Sequence, residues 1–76
     1  MQKIKIIWDF RGDDALKIAE HHAVHVKEFC EKEKIMFHQI DAEQKSEIYA
    51  IAFVTVDKSN ITLIRDVLKP HRAEMS

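Results

Sequence analysis

Apolar and polar residues alternate along the first ten positions of the chain. One side of an extended segment there carries four large apolar residues: Ile4, Ile6, Trp8 and Phe10. The other side is mostly charged, and alternation with a period of two residues is typical of a strand with one buried face. This pattern predicts a first strand over residues 3–10, with its aromatic side turned to the core.

From residue 13 onward the apolar spacing changes to three and four residues. The residues that fall together on one face are Ala15, Ala19, His22, Val26, Phe29 and Cys30. Charged residues occupy the opposite side, which is the pattern of an amphipathic helix. We therefore predict a helix over residues 13–34, with Asp13 capping its first turn.

The second half of the chain contains three further elements. Residues 35–41 alternate weakly and predict a second strand, which the polar residues 42–47 would follow as a loop. Residues 48–56 are apolar on both sides, so we expect a strand buried on both faces at the centre of the sheet. Residues 60–69 carry the apolar stripe of a short helix. The tail at 70–76 is short and polar, and we expect no element there.

The predicted order is strand, helix, strand, strand, helix, in a single domain spanning residues 1–76. This order resembles the ferredoxin-like βαββαβ arrangement with its last strand missing or reduced. The resemblance implies an α+β fold of the ferredoxin-like βαββα type. Its three-stranded antiparallel sheet would have the third strand in the middle and both helices on one face.

Composition limits the classes of function. Hydrophobic residues make up 46% of the 76 residues and charged residues 33%, which predicts a folded chain rather than a disordered one. Charges of both signs are interspersed and the net charge is −1, so we expect binding neither to nucleic acid nor to a membrane surface. The absence of a signal-peptide pattern and the single cysteine, Cys30, predict a cytoplasmic protein.

The sheet face opposite the helices is a predicted interface. The apolar residues expected on it are Ile7, Phe37, Tyr49, Ile51 and Phe53. A domain of this size buries only about 60% of the surface of its unfolded chain, and an uncovered apolar face usually marks an interaction site. We predict a homodimer through this face or, alternatively, pairing through the open edge of the first strand.

Histidines are concentrated in the first helix and suggest a metal site. His21 and His25 are four residues apart and so lie on one flank, a spacing that suits Zn²⁺, Ni²⁺ or Cu²⁺. Two ligands do not complete a zinc site, so His38, His71, Cys30 or a carboxylate would have to converge on them. His21 and His25 are therefore the candidate metal ligands if a metal binds, and we expect no cofactor.

A small-molecule pocket between helix and sheet is another hypothesis. Its candidate residues are Trp8, Asp9, His22, His25 and Tyr49. His22 or His25 would act as a general base or as a pH-sensitive anchor. His22 also lies at the centre of the apolar face, where a histidine packed in the core is the more common role.

Three hypotheses of function follow. The first is a homodimeric binding or regulatory module without chemistry of its own, for a small molecule or a protein partner. The second is an enzyme or ligand-binding domain of the dimeric α/β-barrel type that uses His22 or His25. The third is a metal-binding protein. We rank the first highest, because the sequence contains no catalytic signature, nucleotide-binding loop or complete metal motif, and we assign no catalytic residue.

Overall fold

A computed structural model describes residues 2–75 of the chain. In chain order its elements are β1 (Lys3–Arg11), α1 (Ala15–Lys32), β2 (Phe37–Ser46), β3 (Tyr49–Asp57), a turn of 3₁₀-helix (Lys58–Asn60), α2 (Ile61–Leu68) and β4 (Arg72–Met75). Within these residues the protein is α+β, with two α-helices and a four-stranded antiparallel sheet of order β2-β3-β1-β4. This order is consistent with the ferredoxin-like arrangement.

The strand predicted at the centre of the sheet lies there. β3 pairs with β1 on one side and with β2 on the other, and every residue from Ala50 to Val56 is buried. A continuous apolar run suits this position, because one side of β3 faces the helices and the other side is buried by side chains of neighbouring strands. The sequence therefore predicted both the strand and its neighbours correctly.

The main core lies between the helices and one face of the sheet. Ile6 and Val54 of the central strands share one buried cluster with Val26 of α1 and Ile64 of α2. All four side chains are at most 1% exposed. Because both helices contribute to the same cluster, both lie on the same face of the sheet, as predicted.

Small residues bring the first part of α1 close to the sheet. Ala15, Ala19 and Ala23 of the helix pack against Ala50 and Ala52 of β3. Ala19 and Ala52 are completely buried. A larger side chain at either position has no free space to enter, so this contact fixes the distance between helix and sheet.

The first helix lies within the predicted range of 13–34. The residue at its N-cap is not the one that we predicted. Asp14, rather than Asp13, occupies the N-cap position, and it makes no side-chain hydrogen bond to the first turn. The preceding Gly12 has a φ of +123°, which favours glycine, and its N–H donates to the Ile48 carbonyl at 2.8 Å. Backbone pairing to the start of β3 thus positions the turn.

The second strand is longer than predicted. β2 runs to Ser46 and so includes most of the segment 42–47, which we had expected to be a loop. It is an edge strand on which most side chains are exposed, including all four from Glu43 to Ser46. Polar residues are acceptable on such an edge, and for this reason the hydrophobic pattern did not reveal it.

A register shift corrects the placement of Phe37. Phe37 pairs with Val56, and Gln39 pairs with Thr55, so β2 advances two residues while β3 advances one. This irregularity puts Phe37 on the helix-facing side, where it packs against the main core. The predicted position of Phe37 beside Tyr49 and Phe53 was therefore wrong.

The last strand, which we expected to be missing or reduced, is present as a strand of four residues. The expectations of a three-stranded sheet and of a tail without an element at 70–76 were therefore wrong. Residues 72–75 pair antiparallel with β1, and the His71 N–H donates to the Ile7 carbonyl at 3.0 Å. Every β4 side chain is exposed, and an alternation over only four residues is too short to predict a strand. β4 also covers the β1 edge that we had considered for dimer pairing.

The second helix follows the prediction for residues 60–69 closely. α2 ends at Leu68, where Lys69 adopts a left-handed conformation with a φ of +50° and Pro70 prevents a further turn. Among residues 2–75, neither helix is long and apolar enough to cross a membrane.

Candidate functional site

The residues proposed for a small-molecule pocket lie in different places. Trp8 and His22 pack together between β1 and α1, with their ring centres 4.8 Å apart. Asp9 and Tyr49 share a hydrogen bond on the opposite face of the sheet. His25 lies on the outer flank of α1, with a side chain that is 59% exposed. The structure therefore does not bring these candidates into one pocket.

Asp9 is the centre of a polar cluster on the sheet face that the helices do not cover, which we call the open face. Arg72 donates from Nε to Oδ2 and from Nη2 to Oδ1, each at 3.2 Å, so the pair is bidentate. The Tyr49 hydroxyl also donates to Oδ1, and Arg72 Nη2 lies 3.2 Å from the Tyr49 oxygen. The cluster joins β1, β3 and β4.

The Asp9 carboxylate is held in its ionised form. Burial by itself raises the pKa of Asp9, but the hydrogen bonds from Arg72 and Tyr49 outweigh burial and leave the pKa below its usual value. The same contacts with Asp9 and Tyr49 raise the pKa of Arg72. Because Asp9 and Arg72 are hydrogen-bonded to each other in their charged forms, they stabilise the sheet and are poorly suited to exchange protons with a substrate.

His71 belongs to the same region, and the sequence indicated it only as a possible additional metal ligand. Its Nδ1 accepts a hydrogen bond from the Asp9 backbone N–H at 2.8 Å, so the neutral ring carries its proton on Nε2. We missed His71 and Arg72 because both lie in the tail for which no element was predicted. Their only sequence signal was a small basic cluster beyond the last helix, which the helix dipole explains equally well.

His22 is a half-buried side chain on the sheet-facing side of α1. Its ring packs against Trp8 and Phe10, and its Nε2 is buried with no hydrogen-bond partner within residues 2–75. Burial lowers the pKa of His22, and the nearby histidines His25, His71 and His21 lower it further. The ring is therefore neutral at neutral pH. Its contacts with two aromatic rings give no support to a role as general base.

Acidification is expected to destabilise the protein through His22. The folded pKa of His22 lies below the ordinary value of about 6.5, so the unfolded chain takes up its proton first and stability falls as the pH drops below about 6.5. Urea midpoints between about pH 8 and about pH 5 measure the effect. A His22→Phe variant, which keeps an aromatic ring, should lose less stability over this range. Equal losses of stability in the wild type and in His22→Phe would contradict the assignment of this effect to His22.

His21 and His25 do come together on the outer flank of α1. Their Nε2 atoms are 2.8 Å apart, and Glu28 Oε1 lies 3.5 Å from His25 Nδ1. Residues 2–75 contain no group of three or more His, Cys, Asp or Glu side chains arranged to hold a metal ion. The third ligand that a zinc centre would need is therefore not provided by the described part of the chain.

The other possible ligands are engaged elsewhere. His38 Nε2 is 2.9 Å from Asp57 Oδ1 at the far end of the sheet, and His71 is bonded to the backbone of Asp9. Cys30 is completely buried, and this burial raises the pKa of its thiol. A buried neutral thiol is a core residue rather than a nucleophile or ligand.

We compared the chain with protein-family profiles, with curated protein sequences and with solved structures, and none of them matched. A function is therefore proposed from the geometry of the open face.

Proposed function

We propose that the protein is a cytoplasmic homodimeric binding module without chemistry of its own, and that two copies associate through the open face. The distribution of charge on this face carries the proposal. The face has an apolar centre between a mainly basic half and a mainly acidic half. Such a surface is complementary to a copy of itself.

The apolar centre is shielded by neighbouring side chains. Ile7 and Ile51 are 1% exposed and Phe53 is 8% exposed, although no helix lies over them. The Lys5 ammonium lies 4.4 Å from the centre of the Phe53 ring, and Arg11 lies over Tyr49 in the same way. A second copy would therefore meet the aliphatic stems and charged ends of these side chains.

Charge differs between the two halves of the open face. The half formed by β1 and β4 carries Lys3, Lys5, Arg11 and Arg72 together with Asp9 and Glu74. The half formed by β2 and β3 carries Asp41, Glu43 and Asp57 together with Lys45, which pairs with Glu43. A two-fold axis parallel to the strands puts the basic half of one copy over the acidic half of the other. Opposite charges then face each other on both sides of the two-fold axis.

Charge reversal on either half is expected to abolish the dimer. The first variant combines Asp41→Lys with Glu43→Lys and makes both halves basic, whereas the second combines Lys5→Glu with Arg11→Glu and makes both acidic. Each variant alone should be monomeric in sedimentation equilibrium, because like charges then face each other. An equimolar mixture of the two should form a heterodimer.

The matched control for the second variant combines Lys17→Glu with Lys32→Glu, which makes the same change of net charge on the exposed side of α1 and should remain dimeric. Raising the salt from about 50 mM to about 500 mM should weaken the wild-type dimer about tenfold or more, because exposed charges are screened. A monomeric wild-type protein at low salt would refute the proposal. So would a mixture of the two reversed variants that stays monomeric.

A further inference from the structure

We infer that His21 and His25 form a binding site for a divalent transition-metal ion on the outer flank of α1, with Cu²⁺ as the preferred ion. The site is independent of the open face, because α1 lies on the opposite side of the sheet. The inference rests on the position of the two imidazole rings. Their Nε2 atoms form a hydrogen bond of 2.8 Å, in which one ring donates its N–H to the other, and their ring centres are 4.5 Å apart.

The helix holds this geometry. His21 and His25 are one helical turn apart. Ala19, Ala23 and Val26 of the same segment are buried, and they hold this part of α1 against the core. The two histidine rings themselves are exposed. An ion can therefore approach from solvent without any change in the core, and water can fill its remaining coordination positions.

Glu28 favours the tautomer that a metal ligand needs. Its Oε1 lies 3.5 Å from His25 Nδ1, so the negative charge favours a proton on Nδ1 and leaves the Nε2 lone pair directed toward His21. Carboxylates beside the second nitrogen of a ligating histidine commonly act in this way. Without a metal, His21 then donates its Nε2–H to His25. When a metal binds, the His21 proton moves to Nδ1, and both Nε2 lone pairs are donated to the ion.

The donor set selects the ion. Imidazole nitrogen binds Cu²⁺, Ni²⁺ and Zn²⁺, and Cu²⁺ has the highest affinity of the divalent series. Residues 2–75 provide no third side-chain ligand at this position, so water completes the coordination. The ion would consequently be exchangeable, with one ion per chain in monomer or dimer, and it would raise stability because only the folded helix holds the two rings together.

Calorimetric titration of the full chain with Cu²⁺ tests the inference, with absorption spectroscopy as a second readout of copper–imidazole coordination. We expect one Cu²⁺ per chain, and loss of this stoichiometric binding in both His21→Ala and His25→Ala. Glu28→Gln should weaken binding by up to about fivefold, the effect expected of an exposed ion pair. The matched control, His38→Ala, removes an exposed histidine at the far end of the sheet and should bind as the wild type does.

The altered side chains are exposed, and unchanged circular dichroism would show that the variants fold. Copper binding that survives in the His21→Ala/His25→Ala double variant would overturn the inference, as would a wild-type protein that takes up no Cu²⁺. A stoichiometry of one ion per two chains would overturn it too, because the ion would then bridge copies.

Discussion

Replacement of Trp8 by alanine is expected to destabilise the protein by about 3–5 kcal/mol, which is the range for removing a large aromatic side chain from a core. Trp8 is 3% exposed and packs in the main cluster with residues of both helices. Its Nε1–H also donates to the Leu68 carbonyl at 3.0 Å, which ties β1 to the end of α2. The alanine variant loses the packing and the hydrogen bond together.

This loss is large for so small a chain. A protein of 76 residues has a total free energy of unfolding of roughly 4–11 kcal/mol, so Trp8→Ala should leave a marginal fold or none. Urea unfolding followed by circular dichroism measures the change, since Trp8 is the only tryptophan and fluorescence is lost with it.

A Trp8→Phe variant separates the two contributions. It keeps an aromatic ring and lacks the indole N–H, and it should cost about 1–2 kcal/mol. Equal losses in the alanine and phenylalanine variants would show that the hydrogen bond, rather than packing, dominates. A loss below about 1 kcal/mol in Trp8→Ala would contradict the position of this residue in the core.

Enlarging the alanine contact between α1 and β3 is expected to have the second largest effect. Ala19→Leu should cost about 3 kcal/mol, at the upper end of the usual range for overpacking. Ala19 is completely buried against the small residues of β3, so the added carbon atoms must push the helix away from the sheet. The same displacement would weaken the main core, which shares α1.

The control for this prediction lies on the same helix. Val24 is 57% exposed, and Val24→Leu should change the free energy of unfolding by less than about 0.5 kcal/mol. Thermal or urea unfolding of both variants gives the comparison. Similar stabilities for Ala19→Leu and Val24→Leu would mean that the helix can move away from the sheet at little cost.

The parts of the fold that the sequence predicted are those with a buried face. β1, β3 and both helices carry apolar residues at the correct spacing because their positions in the core demand it. β4 and the second half of β2 are edge segments held mainly by backbone pairing, and backbone hydrogen bonds leave no side-chain pattern. The misplacement of Phe37 came from one register irregularity, which alternation cannot show.

The candidate sites divide in the same way. The approach of His21 to His25 depends only on helix geometry over four residues, so the sequence predicted it. The pairing of Asp9 with Arg72 joins positions far apart in the chain and depends on a strand that the sequence did not reveal. The residues proposed for a pocket lie apart because adjacent residues of β1, such as Trp8 and Asp9, point to opposite faces of the sheet.

The short β4 makes one side of the sheet easier to open than the rest. Four residues attach it to β1, all of their side chains are exposed, and the contacts that hold it are polar. Separation of β4 therefore breaks few apolar contacts, and local unfolding of this kind leaves the main core intact. Such an opening uncovers one edge of β1 and leaves its backbone N–H and C=O groups unpaired. The strand that completes the sheet is therefore also one whose separation exposes little apolar surface.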